Sequence, residues 1–534
     1  MGGLADLALP AVGLALAALA GITVYTIVYR LYFHPLAKYP GPFLNKISPL
    51  PAISSLLRGR LPLETKQWHD KYGPVVRVMP NELSFNTANA WEDIYGHRQG
   101  LTNMHKDPIH VGSVDPIPGV TTLTMADDHN HQRQRRALAY SFSQKALLEQ
   151  EYIVQQYVDT LITKLKLKAD RGEVFNMVDW LNFTTFDIIG DLAFGDPFGC
   201  LADEMFHDWV ALIFETIKVG ALEQATRRFA EAGSPLQNWL VKQIPTRLRT
   251  LRRSHVVKSR EKVMKRLSDG EKSDHRDFIW YILQQRSRHD LKDDEIVVNG
   301  ALFIVAGSET TANLLSGLIA RLIWNPDKLQ KLVEEVRSTF ESEDEIKSEA
   351  VGQMPYLMAV IEEALRVHPP VPAGLLRTVP QGGAFVDGNW VPEGTSVAVC
   401  SWAAGHNPAN FKDCDKFIPE RFLKEHEGEY AMDNKKAVQP FSLGPRGCIG
   451  RHLSYMEMKV ILARLLWNFD IESVDGAWKW NPEGELKHMR YVTRCPTRVL
   501  FRTNTLSPAR SILGRNPSSI SRYRGLRESR GIPT

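Results

Sequence analysis

Twelve residues near the C-terminal end constrain this chain more than any other segment: Pro440-Phe441-Ser442-Leu443-Gly444-Pro445-Arg446-Gly447-Cys448-Ile449-Gly450-Arg451. Gly444 and Gly450 remove side chains where the backbone must turn tightly. A helical pattern follows at once through Met456, Met458, Val460 and Leu462. The segment therefore carries Cys448 to a helix N-terminus, where the dipole and free N–H groups favour a thiolate.

The other cysteines, Cys200, Cys400, Cys414 and Cys495, are scattered, and the five together form no CxxC pair. That excludes a disulfide framework and a zinc site of the usual spacing. The net charge of +4 is uneven: from Asn504 onward six arginines face one acid, Glu528, so the rest of the chain is close to neutral. A nearly neutral body argues against nucleic-acid binding. With 43% apolar and 24% charged residues, the 534-residue chain can bury a large core and a cofactor.

Leu7 to Tyr29 is a run of 23 residues without charge, long enough to span a bilayer as a helix. No basic residue precedes it, which argues against a cleaved signal peptide, and Asp6 breaks the myristoylation pattern. Arg30, His34 and Lys38 follow it, so the positive-inside rule places the bulk of the chain in the cytosol. No later segment reads as long and apolar enough to span. The expected organisation is an N-terminal transmembrane anchor over 1–30, a proline-rich connector over 31–45, a catalytic body over 46–503 and a basic, disordered tail over 504–534.

The body reads as mostly α, an α+β domain rich in helices with small peripheral sheets. Val75–Val78 and Leu83–Asn86 predict a hairpin, and 128–321 is mostly helical. Asp293–Trp324 predicts one long core helix, ended by Asn325-Pro326. Met358–Val367 predicts another, stopped by Pro369-Pro370. Strands are expected at Phe385-Val386 and Trp390-Val391 about a turn, at Val397–Val399 and at Arg498–Phe501.

A thiolate at Cys448 is the form that ligates haem iron and pushes electron density toward O–O cleavage. Arg446 is placed to pair with a haem propionate and Phe441 to shield the sulfur. The full spacing F-x-x-G-x-R-x-C-x-G, from Phe441 to Gly450, resembles the haem-binding signature of the cytochrome P-450 superfamily, and the resemblance extends over about 30–503. Tyr32 to Pro42, and His406 through Phe422, look like fungal microsomal members of secondary metabolism.

The resemblance implies roles for further residues. Glu363 and Arg366, with Arg421 of Pro419-Glu420-Arg421-Phe422, form a buried charge network that locks the cysteine loop. In Ala306-Gly307-Ser308-Glu309-Thr310-Thr311, the glycine opens a groove for dioxygen, Thr310 hydrogen-bonds the reduced dioxygen, and Glu309 helps deliver protons. His131, Arg135 and Arg377 are further candidates for the propionates, although His131 stands where the family often has Trp. Phe303, Val305, Ala306, Ala373, Gly374 and Leu375, with the loop over 100–122, are expected to face substrate.

The implied cofactor is haem b, with dioxygen and electrons from NADPH through a reductase. A b-type cytochrome is a second candidate donor. The implied activity is hydroxylation or epoxidation of a lipophilic small molecule, a polyketide, terpenoid or alkaloid, at the endoplasmic reticulum membrane, with a single-pass anchor and a cytosolic catalytic domain. The same chemistry can instead give oxidative coupling, desaturation or ring closure. A non-catalytic haem-binding membrane protein is the remote alternative. Arg133, Arg136, Arg446 and Arg451 are candidate reductase contacts.

Overall fold

The computed structural model of the chain describes residues 3–98, 100, 102–109, 117–270, 275–473, 487–489, 492–494 and 498–503. The tail from Asn504, Cys495 and residues 101 and 110–116 of the 100–122 loop lie outside them.

The helices that position the site are, in chain order, α1 (Gly3–Val28), α2 (Asp128–Leu138), α3 (Met177–Phe194), α4 (Asp293–Trp324), α5 (Pro326–Thr339), α6 (Pro355–Val367) and α7 (Arg451–Asn468). The expected long helix is present as α4. Glu295 accepts the Lys292 N–H at 3.0 Å and closes its first turn. Pro326 ends it and opens α5, because proline fits a first helical turn but not an interior. The same tolerance explains why α6 begins at Pro355, three residues ahead of Met358.

α4 packs chiefly against α3, which is buried along almost its whole length. By length and composition α4 is apolar enough to cross a membrane, which corrects the expectation that no later segment is. Because 72% of its most apolar window is buried in the body, it is a core helix.

The strands are short. In chain order, those of the main sheet and of a separate hairpin are β1 (Val75–Met79), β2 (Glu82–Phe85), β3 (His105–Lys106), β4 (Arg377–Thr378), β5 (Ala384–Val386), β6 (Asn389–Val391) and β7 (Ser396–Val399). β1 and β2 form the expected hairpin. The main sheet runs β1-β2-β7-β4-β3, with only the β2–β7 pair parallel. β5 and β6 make a separate hairpin, in which Asn389 already belongs to the strand rather than the turn. Arg498–Thr503 lies between Val174–Asn176 and Phe469–Ser473 in a third small sheet. The helix-rich α+β architecture is therefore as expected.

α1 continues through a π-helical turn at Tyr29–Phe33. Val12–Phe33 is apolar enough to span a membrane, and none of its apolar window is buried in the body. The proline-rich connector is pinned to β1: the Arg77 N–H donates to the Pro40 carbonyl at 2.7 Å, and the Arg77 guanidinium donates to the Arg30 carbonyl at 2.8 Å.

Candidate active site

Cys448 lies two residues ahead of Gly450, the N-cap of α7. Its N–H donates to the Phe441 carbonyl at 2.8 Å, and the Gly447 N–H donates to the Gly444 carbonyl at 3.0 Å, closing a compact turn. Gly444 has φ +66°, and a Cβ there would come within 2.1 Å of the Tyr95 carbonyl oxygen, so the turn requires glycine. Gly450 differs: a Cβ there would meet no protein atom within 4 Å. Phe441 packs against Tyr455 with centroids 5.2 Å apart, and the Arg451 guanidinium lies over both rings.

The Cys448 thiol has accessible surface, yet burial pushes its pKa up, opposed by the Gly450 N–H, Arg135 and Arg451. The two facts agree when the sulfur borders an internal space walled by protein. The helix proper begins beyond the cysteine, after Gly450.

Cations gather around this turn. Arg135 donates to the Gly447 carbonyl at 2.7 Å. Arg446 donates to the Ala126 carbonyl and to Asp128, both at 2.8 Å, while its second terminal nitrogen, Nη1, is buried without a partner. Arg377 is only 3% exposed, and its side chain meets the Leu376 carbonyl at 3.4 Å and the Tyr95 ring at 5.2 Å. Burial, followed by the charge of Arg446, lowers Arg377 to about 10 against the pull of Tyr95 and Asp128. His131 is buried, and desolvation, then Arg446 and Arg135, holds it at about 4, so its imidazole is neutral.

The structure places His131, Arg135, Arg377 and Arg446 near one another, with Lys106, which the sequence reading did not include. Lys106 pairs with Arg377 across β3 and β4. Burial, then Arg377 and Arg446, pushes its ammonium well below the usual range. Arg133, a candidate reductase contact, is half-buried, paired with Glu295, and donates to the Asp290 carbonyl at 2.9 Å. Arg136 and Arg451 remain exposed.

On α4, Ala306 is exposed and Thr310 half-buried, whereas Ile304, Ser308, Glu309 and Thr311 are buried. The Thr310 hydroxyl donates to the Ala306 carbonyl at 2.6 Å, leaving its oxygen lone pairs on the accessible side. Gly307 faces the neighbouring helix: a Cβ there would lie 2.8 Å from Ile189 Cδ1 of α3. Its absent side chain serves close helix packing, and the open side of this turn belongs to Ala306.

Phe303 is 6% exposed and sits in an aromatic cluster with Phe142 and Phe278, at centroid distances of 5.1 and 6.0 Å. The expectation that it faces substrate is corrected, because the helix Phe278–Arg286 already covers α4 at that height. Leu302, one helical turn before Ala306, is the half-buried residue there. Val305 is half-buried and packs against the main core. Ala373 and Leu375 are half-buried. Gly374 packs close to β7, since a Cβ there would sit 2.5 Å from Ala398 Cβ.

The charge network is present and fully buried. Arg366 makes two hydrogen bonds of 2.7 Å to Glu363 and donates to the carbonyls of Gly405, Cys414 and Lys416. Arg421 reaches Glu363 at 3.2 Å and also pairs with Asp433, a partner the sequence reading did not include. Its contacts fix the 405–433 stretch that leads into the Cys448 turn.

These residues fit a haem. The set offers one soft sulfur ligand, an open side at Gly450, and a group of cations with an orphaned guanidinium nitrogen at Arg446. Asp128 is the acid within the group, and His105 shares it. Two propionates would supply the missing charge.

A family model for cytochrome P-450 matches residues 44–492. Cytochrome P-450 monooxygenase aba2 of Botryotinia fuckeliana is 43% identical over 472 residues, covering 87% of this chain and 89% of the relative. Cytochrome P-450 monooxygenase ABA2 of Pyricularia oryzae is 45% identical over 463 residues, 86% of this chain and 88% of the relative. Averantin hydroxylase of Dothistroma septosporum is 41% identical over 453 residues, 84% of this chain and 83% of the relative.

Proposed function

Because the chain belongs to the cytochrome P-450 family and is a haem monooxygenase fed with electrons by a reductase, we propose that it hydroxylates or epoxidises a lipophilic intermediate of fungal secondary metabolism. The observation that carries the site assignment is the accessible Cys448 thiol beside a group of cations in which, among the described residues, Asp128 is the acid. In this reading Cys448 would ligate the haem iron. Arg446, Arg135, Arg377 and Lys106 would bind the propionates by charge, and His131 would donate a hydrogen bond. The haem, when bound, supplies the oxygen-activating redox chemistry.

The chain's own part is positioning and proton handling. Leu302, Ala306, Ala373 and Leu375 present apolar surface to the substrate. Thr310 offers a hydroxyl at the accessible side of α4, already oriented by its bond to the Ala306 carbonyl. Glu309, one residue earlier and buried, is the acid that passes protons toward it.

The helix Val12–Phe33 is read as a single-pass anchor in the endoplasmic reticulum membrane, with the catalytic domain cytosolic. Exposed Phe43, Leu44, Leu50, Leu57, Phe229 and Trp239 supply further apolar surface. A groove of about 340 Å³ lined by Leu50, Ile53, Leu222 and Phe229 lies among them. Deleting 1–33 is therefore expected to release only part of the protein from microsomes. A protein fully soluble after that deletion would show that α1 alone holds it. Asn182-Phe183-Thr184 cannot report topology, because Asn182 and Thr184 are buried in α3; protease protection of the 504–534 tail can. A b-type cytochrome is a second candidate electron donor beside the reductase.

The reduced carbon-monoxide difference spectrum of the purified protein tests the ligand. A thiolate-ligated haem gives a red-shifted band, and Cys448→Ala should abolish both band and turnover. A band that survives Cys448→Ala rejects the site. Gene deletion followed by profiling of the accumulated metabolite identifies the substrate.

A further inference from the structure

A cavity of about 410 Å³ lies where the anchor meets the body, lined by Arg30, Ser48, Met79, Asn81, Glu82 and Arg228 among others. Sites for small ligands run ~300–1,000 Å³. Arg30 is the first charge after the uncharged run Leu7–Tyr29. Its guanidinium donates to the Ile47 carbonyl at 2.6 Å and forms no ion pair among the described residues. Arg77 backs the same wall. It is 0% exposed, and its guanidinium donates to the carbonyls of two lining residues, Arg30 at 2.8 Å and Pro80 at 2.7 and 3.1 Å. Burial, then the charge of Arg30, lowers Arg77 to about 10. Burial, then Arg77, lowers the Lys46 ammonium as well. Arg228, in the last turn of the helix Asp208–Phe229, has a side chain only 5% exposed. One terminal nitrogen bonds Glu82 at 2.5 Å, while Nε is buried without a partner. The nearby acids are already engaged: Glu82 by Arg228, and Asp107 by the hydroxyls of Ser396 and Thr378 at 2.6 and 3.0 Å.

Cations therefore outnumber acids around this cavity, with Arg30, Lys46, Arg77 and Arg228 against Glu82 and Asp107. A buried guanidinium nitrogen without an acceptor is costly, and a phosphate supplies both the charge and the paired oxygens that arginine matches. The depth suits one as well. Arg30 lies in the last turn of the span Val12–Phe33, where a long cationic side chain reaches the headgroup layer. We propose that this cavity binds the phosphate of an anionic phospholipid, with Arg30 and Arg228 as its cations. The Ser48 hydroxyl accepts from the Leu50 N–H at 3.2 Å and keeps its own proton to donate. The proposal rests on the reading of Val12–Phe33 as an anchor. A lipid held there joins α1, β2 and the helix Asp208–Phe229 at the membrane surface, and so fixes how the body sits on it.

The test uses the purified full-length holoenzyme in detergent, so that binding is read without membrane insertion. Native mass spectrometry with dioleoyl phosphatidic acid should show retained lipid, whereas dioleoylglycerol, the same chains without the phosphate, should be lost. Arg30→Gln should weaken retention about tenfold, the worth of one charge-assisted hydrogen bond, and should keep the carbon-monoxide band of a folded haem protein. Glu82→Gln, which removes the acid that competes for Arg228, should strengthen retention. Equal retention of the two lipids, retention unchanged in Arg30→Gln, or weaker retention in Glu82→Gln would each overturn the proposal. Displacement of phosphatidic acid by inorganic phosphate would assign the cavity to a free anion and overturn the lipid. Full-length protein found in the soluble fraction of cell lysates would instead overturn the anchor reading and leave the detergent result standing.

Discussion

Lys106 and Arg377 stand directly opposite each other on antiparallel strands, two cations sharing one face of the sheet. Like charges in that relation cost about 0.2–1 kcal/mol, a cost that an anion between them reverses. Haem-free Lys106→Ala is therefore expected to melt no lower than the haem-free wild type. The holoenzyme should lose haem more readily. One charge-assisted hydrogen bond is worth ~1.5–3 kcal/mol, so haem affinity should fall roughly tenfold to a hundredfold. Transfer of haem to a scavenger protein measures it. Equal transfer rates would remove Lys106 from the site.

Arg421 neutralises Asp433 and one side of Glu363 where all three side chains are 0% exposed. Arg421→Met leaves Asp433 buried without its cation, a situation that costs ~3–5 kcal/mol. The variant should melt many degrees lower. Adding Asp433→Asn should return part of the loss, because the stranded charge is then gone. If the double variant is no more stable than Arg421→Met alone, the cost lies in packing and not in charge.

Acid stability should depend on His69, which is 3% exposed and bonded to the Gly73 carbonyl and Ser84 hydroxyl, both at 2.9 Å. Burial lowers its pKa to about 4, against the opposing Gly73 bond and Asp70. The unfolded chain thus binds a proton near pH 6.5 that the folded chain refuses until about 4. Stability should fall as pH drops through this window and level off below it, by ~3 kcal/mol from this group. Urea titrations of wild type and His69→Gln at several pH values measure it. A slope unchanged in the variant would assign the acid sensitivity elsewhere.

What could be read from sequence depended on how far apart the determinants lie. The 23-residue apolar run, the long helix Asp293–Trp324 and the β1–β2 hairpin are local patterns, and the folded chain keeps them. Glu363 and Arg366 are one helical turn apart, so their pairing was legible, whereas Asp433 reaches Arg421 only through the loop's path. Lys106 has no local signature at all. It acquires meaning because a two-residue strand sets it against Arg377. Phe303 shows the converse failure. It shares a helix face with Thr310, but periodicity does not say which neighbour covers that face at each height, and Phe142 and Phe278 cover it there. Gly307 looked like a groove and is a packing contact with Ile189.

The oxygen-handling turn gives the most direct test of the chemistry. Thr310 is half-buried on the accessible side of α4, with its hydroxyl proton given to the Ala306 carbonyl. A hydroxyl held in this way can receive a proton relayed from Glu309 and pass on its own. Thr310→Ala should leave substrate binding and electron uptake intact, so NADPH consumption continues. Product per NADPH should fall, and hydrogen peroxide should rise to account for the difference. A positioned proton-transfer group is worth ~10²–10⁴-fold in general, and water can enter the space left by the methyl and hydroxyl, so the loss should lie at the lower end or below. Thr310→Ser keeps the hydroxyl and should recover most of the coupling. Product and peroxide are measured together against NADPH in a reconstituted reductase system. A product-to-NADPH ratio unchanged in Thr310→Ala would show that this hydroxyl takes no part. Turnover of the wild type under isotopically heavy dioxygen separates the outcomes further, since label enters the product only when oxygen is inserted, and an unlabelled product would identify coupling or desaturation.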